Sequence, residues 1–179
     1  MSSFSFPELY NFPPFFTLQP VVDTLTKQLE SWCQLVLDYC QHHTHYFIIP
    51  SEMQSSDLFT NAAINRRLDE TQIVRVIDAL VHKGRAEWCS IDKQRALIFF
   101  RTPEEWADIL SSILDKYGQK NSVCTLYELS HGDLARGTPL MGCPYDLILR
   151  AISVIQNRGQ ARLIEEDTLE ETGVKFDIK

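Results

Sequence analysis

Cys33, Cys40, His42, His43 and His45 fall within one short stretch and are the first residues here whose types could do chemistry. Thiolates and imidazoles hold structural zinc, but such sites take closely spaced Cys pairs and a nearby His pair. Here the two cysteines sit two turns apart on an expected helix, and the histidines gather at its frayed end. That spacing predicts packed thiols and solvated imidazoles, with no metal and no cofactor. Ser122 and Cys124 are candidate nucleophiles with no histidine near them in sequence, and a nucleophile needs a base. No G-x-S-x-G, phosphate-binding loop or H-E-x-x-H pattern is present. Glu104 and Glu105 are accounted for by the start of a helix, where carboxylates meet the positive end of its dipole. The residues point away from an enzyme.

A second chemistry to test is nucleic-acid binding. Two helix-plus-turn segments present polar side chains: Gln72, Arg75, His82 and Lys83 in the first, and Arg150, Gln156, Asn157 and Arg158 in the second. Each set is diluted by an acid, Asp78 or Asp146. Base readout needs such donors backed by cations on the phosphates, and each phosphate contact draws on a positive charge. The chain has 17 Lys and Arg against 24 Asp and Glu, a net charge of −7. Most of the acidic excess lies in the second half, at Glu165, Glu166, Asp167, Glu170 and Glu171. A winged-helix transcription regulator that binds DNA is therefore the alternative rather than the leading expectation. Winged helices also serve as protein-docking modules, which suits the charge.

Those two segments are copies of one another. Residues 73–86 slide onto residues 148–161 with a constant shift of about 75 positions, the signature of an internal repeat. Apolar positions meet apolar positions, Arg75 meets Arg150, Lys83 meets Arg158, and Gly84 meets Gly159. A chain of 179 residues with 44% hydrophobic content accommodates two small domains of one type. Residues 21–101 and 102–179 are the expected domains, each running helix, strand, short helix, helix, strand, strand. Such a series is a winged helix, so the fold class expected is α+β, mainly α, with two winged-helix domains in tandem.

Several local signals fix these elements. Leu25, Leu29, Trp32, Val36 and Tyr39 make one apolar stripe, which predicts a helix over residues 22–42. Phe47 to Ile49 is a strand that Pro50 is expected to end, and residues 58–68 a short helix. Asp69 with Gln72, and Thr102 with Glu105, have capping-box spacing. Gly84 and Gly118 are expected to end helices. Ser90 to Arg95 is the tip of one hairpin, and Gln160 to Glu165 and Val174 to Ile178 are the strands around a second, acidic tip. Five cysteines in an odd, widely spaced set fit a reduced compartment. No signal peptide or membrane-length apolar run is present, so a cytosolic location is expected, with any membrane association made through partners rather than by direct insertion.

Residues 1–20 form a leader crowded with proline and phenylalanine. Proline fixes φ and removes a donor, so an extended rather than helical leader is expected. It is too apolar to be an idle tail. Its rings could cover its own first domain or anchor in a partner's pockets, and partner binding is favoured because two adjacent prolines preset a low-entropy backbone. Phe12, Pro13, Pro14, Phe15 and Phe16 are the candidate anchors, and self-association stays open.

Phe12-Pro13-Pro14-Phe15-Phe16-Thr17-Leu18-Gln19-Pro20, followed by Lys27-Gln28-Leu29 and Trp32-Cys33, resembles the small subunits of the ESCRT-II complex. Glu87-Trp88, Pro103-Glu104-Glu105-Trp106, Thr125-Leu126-Tyr127-Glu128-Leu129 and Gly173-Val174-Lys175-Phe176 extend the resemblance along nearly the whole chain. It implies tandem winged helices and a non-enzymatic role in sorting ubiquitinated cargo into multivesicular bodies. It implies that the Pro-Pro-Phe-Phe leader docks on two larger winged-helix subunits. It further implies that the second winged helix recruits the nucleating subunit of ESCRT-III, with the work done on the endosome surface. Arg150 and Gln156 are one candidate surface for that last contact. Glu165, Glu166, Asp167, Glu170 and Glu171 are the other, chosen by charge alone.

Overall fold

The computed structural model describes residues 3–178 and divides into two compact units, Met1–Phe100 and Arg101–Lys179. Each is built on the same plan.

In the first unit the apolar stripe produces α1 (Val22–His43), whose Trp32, Val36 and Cys40 are fully enclosed. The chain turns at Thr44, in the left-handed region, into β1 (Phe47–Ile48). Pro50 begins a helix here rather than merely ending a strand. It occupies the first position of α2 (Pro50–Met53), where its missing N–H costs nothing. The short helix expected over residues 58–68 is instead a small hairpin, β2 (Thr60–Asn61) paired with β3 (Arg66–Arg67). Local side-chain chemistry decides this. Asn61 Oδ1 accepts from the Ala63 amide, and Asn65 takes a left-handed conformation that Asn tolerates. Leu58, Phe59 and Leu68 are buried and fasten the hairpin to the core. α3 (Glu70–His82) starts at the expected capping box of Asp69 and Gln72. β4 (Ala86–Trp88) and β5 (Ala96–Ile98) then complete a three-stranded antiparallel sheet in the order β1-β5-β4.

The second unit repeats the series. α4 (Pro103–Lys116) opens on the Thr102–Glu105 capping box. β6 (Val123–Thr125) leads into α5 (Leu126–Ser130), which carries a further capping box between Thr125 and Glu128. α6 (Tyr145–Asn157), β7 (Ala161–Ile164) and β8 (Gly173–Phe176) follow, with sheet order β6-β8-β7. Both units thus have three helices and a wing in the same topology, the winged-helix fold.

The repeat extends to atomic detail. Gly84 and Gly159 both adopt positive φ, 67° and 71°, which only glycine does without penalty. In each case the next amide reaches back five residues along the chain to close the helix. Arg85 N donates to Leu80 O at 2.8 Å, and Gln160 N donates to Ile155 O at 3.0 Å, satisfying carbonyls that would otherwise be orphaned. The basic residue before each glycine reaches the first helix of its own unit. Lys83 Nζ lies 3.5 Å from Glu30 in α1, and Arg158 lies 2.8 Å from Asp108 in α4.

The leader departs from the extended form expected. It winds into two 3-10 turns, Glu8–Asn11 and Pro13–Phe16. Such turns need only bonds three residues apart, and the amides that make them belong to non-proline residues: Tyr10 to Pro7 O, Phe15 to Phe12 O and Thr17 to Pro14 O. The prolines sit where no donor is required. The leader is part of the first compact unit rather than a separate segment.

Candidate docking sites

Two α1 side chains hold the leader. The Trp32 ring stacks on Phe15 with centroids 4.2 Å apart and planes 3° from parallel, while its indole N–H donates to Phe15 O at 3.0 Å. Phe16 meets the same indole edge-on. Gln28 donates from Nε2 to Phe15 O and Thr17 O, at 2.8 and 3.0 Å, and accepts from the Gln19 amide through Oε1. The β2–β3 hairpin grips the other turn. Asn61 Nδ2 donates to Tyr10 O at 2.9 Å, and the Tyr10 hydroxyl meets the carbonyls of Asp57 and Thr60. Burial, then the Asp57 carboxylate, keep the Tyr10 phenol well above its usual range, so it remains a donor.

The candidate anchors are therefore split. Phe15 and Phe16 are each only 3% exposed and are consumed by the chain's own core, whereas Phe12 is 54% exposed and Pro13 and Pro14 lie open beside it. The preference for partner binding over folding back does not describe Phe15 and Phe16 in this conformation. Their rings complete a box around Trp32 that would otherwise be open to water. The residues missed in sequence were Gln28 and Trp32, although Trp32 stood in the helical stripe and a Gln on the same helix was the available signal.

In the second unit the acidic set lies in the β7–β8 connection. Glu165, Glu166, Asp167, Glu170 and Glu171 are all exposed. The connection is nevertheless ordered: Tyr127 N donates to Glu170 O at 3.2 Å and Leu126 N to Thr172 O at 3.0 Å. Thr168 Oγ1 exchanges hydrogen bonds with Glu171. Burial, followed by the Glu170 carboxylate, raises the Tyr145 phenol above its ordinary value. Arg150 and Gln156 lie half-buried on α6. The structure thus offers two surfaces, a carboxylate-rich wing and one face of α6.

The family profile described as ESCRT-II complex subunit matches residues 9–144. The chain is also 44% identical to the vacuolar protein-sorting-associated protein 25 of Danio rerio over 174 residues, covering 97% of this chain and 99% of that protein.

The chain belongs to the ESCRT-II subunit family.

A crystal structure of subunit VPS25 of the endosomal trafficking complex ESCRT-II matches it with a TM-score of 0.84 at 22% identity, over 95% of this chain and 97% of that one. A chain in the crystal structure of endosomal complex ESCRT-II (VPS22/VPS25/VPS36) matches with a TM-score of 0.81 at 23% identity, over 95% and 98%. These likenesses agree with two winged helices in tandem.

In this ESCRT-II family member three of the polar groups considered for DNA readout, Gln72, Lys83 and Arg158, have partners within the chain. Gln72 caps α3. Asp78 accepts from the Trp88 indole at 2.8 Å and from Lys93 at 2.7 Å, which ties the first wing to α3. Lys83 and Arg158 reach carboxylates. A groove-reading helix needs these donors free. Among the described residues no helix is long and apolar enough to cross a membrane, and no group of three or more His, Cys, Asp or Glu could hold a metal. The histidines instead pack with rings: His42 and His43 lie against Phe4, and His43 lies 4.3 Å from Tyr39.

Thiol chemistry follows from burial. Desolvation pushes Cys33 up to about 11 and Cys40 up to about 12 and raises Cys124 as well. Cys143 is buried too, and Cys89 alone is exposed. The thiolate is the reactive form. A disulfide reagent at neutral pH is expected to titrate Cys89 rapidly in the native chain and the other four only on unfolding. Fast release from two or more native thiols would contradict this packing.

Proposed function

We propose that this chain is the non-enzymatic small subunit of an ESCRT-II complex. Its first unit and leader dock on two larger winged-helix subunits, the counterparts of the VPS22 and VPS36 named with VPS25 in the solved complex. Its second unit recruits the nucleating subunit of ESCRT-III, for sorting ubiquitinated cargo into multivesicular bodies at the endosome. The observation that carries the first half is the ridge of Phe12, Pro13 and Pro14, exposed yet held rigid by the buried Phe15 and Phe16. A rigid aromatic with a preset backbone binds with little ordering cost. For the second half, the exposed carboxylates from Glu165 to Glu171 suit a basic helix, and the α6 face with Arg150 and Gln156 is the competing surface.

The test is affinity for the co-purified pair of larger subunits. A Phe12→Ala, Pro13→Ala, Pro14→Ala variant is expected to lose at least about tenfold in affinity, as truncation of a central aromatic anchor does, while keeping its thermal midpoint. Unchanged affinity would overturn the docking assignment. For the wing, reversing Glu165, Glu166 and Glu170 to Lys should weaken binding of the ESCRT-III nucleating subunit most at low salt. An effect confined to Arg150 and Gln156 variants would move the contact to α6.

A further inference from the structure

We propose that this chain is a receptor as well as a ligand: the groove between its leader and α1 takes an extended segment, about six residues long, from one of the larger subunits. This inference rests on the docking role proposed above and adds a second element to it.

Two hollows lie between the leader and α1, of about 330 and 450 Å³. Leu9, Phe15 and Ser31 line both, so they form one trough. Its floor is a single stripe of α1: Lys27, Ser31, Leu35 and Asp38, spaced by three or four residues as neighbours on one helix face are. Its other wall is the leader, through Phe12 at one end and Phe6 at the other. From Lys27 to Asp38 the floor is about 16 Å long at 1.5 Å per helical residue. With its open ends it spans about six residues of extended chain at roughly 3.3 Å each.

The occupant's chemistry follows from the lining. The wall and centre are apolar. Lys27 is exposed at one end and Asp38 at the other. Asp38 accepts one hydrogen bond, from Gln34, and among the described residues neither charge is in a salt bridge with the other or with a third group. A segment with an apolar centre, an acidic residue toward Lys27 and a basic residue toward Asp38 would satisfy both ends. The surroundings support a covered surface. Among the described residues of the first unit, every exposed large apolar residue except Ile91 falls between positions 9 and 22: Leu9, Phe12, Val21 and Val22. Such clustering marks an interaction site.

The test uses the full chain and the purified pair of larger subunits. Ser31→Trp fills the middle of the trough, and Lys27→Glu with Asp38→Lys reverses its polarity at two exposed positions. Both variants are expected to weaken binding by about tenfold or more, with native circular dichroism and thermal midpoint. Should Ser31→Trp misfold, the exposed charge reversal decides alone. If the groove variants bind like wild type while the Phe12-Pro13-Pro14 variant fails, the groove is overturned and leader docking stands. If both sets bind like wild type, both readings fall. A chain that sediments alone as a dimer, and as a monomer with Ser31→Trp, would overturn the proposal in favour of a second copy as occupant.

Discussion

Trp32→Ala is expected to cost about 3–5 kcal/mol, the range for deleting a large enclosed aromatic, and to lower the urea midpoint of the first unit by about 1.5–2.5 M at a slope of about 2 kcal/mol per M. The loss is compound. Trp32 is fully buried, stacks on Phe15, meets Phe16 and Phe59, and donates its N–H to Phe15 O. Alanine leaves a cavity and releases the leader's second turn together. Trp32→Phe separates the two parts. It keeps a ring against Phe15 and drops only the indole donor, and Gln28 Nε2 still reaches the same carbonyl at 2.8 Å. That variant should lose about 1 kcal/mol, the net value of an ordinary hydrogen bond. Hydrogen exchange at the Phe15 and Thr17 amides should accelerate strongly in Trp32→Ala and little in Trp32→Phe. A Trp32→Ala chain within about 0.25 M of wild type, the interval that ordinary surface-substitution effects of about 0.5 kcal/mol produce at that slope, would show that the leader adds nothing to the first unit.

The second large effect is expected at Gly132→Ala, in the other unit. A Cβ there would lie 2.7 Å from Glu128 Cα and 3.0 Å from Glu128 O. These are backbone atoms at the start of a tight return, held by Gly132 N donating to Tyr127 O at 3.0 Å, and they cannot rotate aside. Overpacking of this kind costs about 1–3 kcal/mol. The strain falls on α5, whose first two amides tie down the acidic wing through Thr172 and Glu170. Gly132→Ala should therefore also loosen the β7–β8 connection, seen as faster exchange at Leu126 and Tyr127. Gly173→Ala is the contrast. Its added methyl would meet Ile164 and Val123 side chains at 3.5 Å, an ordinary contact, and should change stability by about 0.5 kcal/mol or less. Equal effects at the two glycines would refute the crowding argument.

Much of the fold was legible in the sequence because its signals are local. Capping at Asp69 and Thr102, the glycines after α3 and α6, and the 3.6-residue stripe of α1 each depend on neighbours a few positions away. The duplicated segment supplied the topology, since one copy supports the other. Residues 58–68 were misjudged because Leu58 and Phe59 are held by the tertiary core, while Asn61 and Asn65 turn the chain by side-chain bonding that competes with a helix. The leader was half legible. Its Pro-Pro-Phe-Phe composition marked it as functional, but whether a ring faces its own domain or a partner is settled by Gln28 and Trp32, which lie 13 and 17 residues from Phe15. The groove was not visible at all, because it exists only when the leader is laid beside α1.

The internal anchoring of Phe15 and Phe16 also has a kinetic consequence. A leader that is already ordered does not fold as it binds, so association loses no segment entropy at the moment of contact. On the docking proposed above, its rate should follow that of rigid docking, about 10⁵–10⁷ per molar per second, and the leader's own share of the heat-capacity change should match the area of Phe12, Pro13 and Pro14 covered rather than that of a whole peptide collapsing onto a surface. Affinity would then be tuned through dissociation. Weakening the Trp32 box would slow assembly by lowering the fraction of chains ready to bind, even though Trp32 itself is fully enclosed.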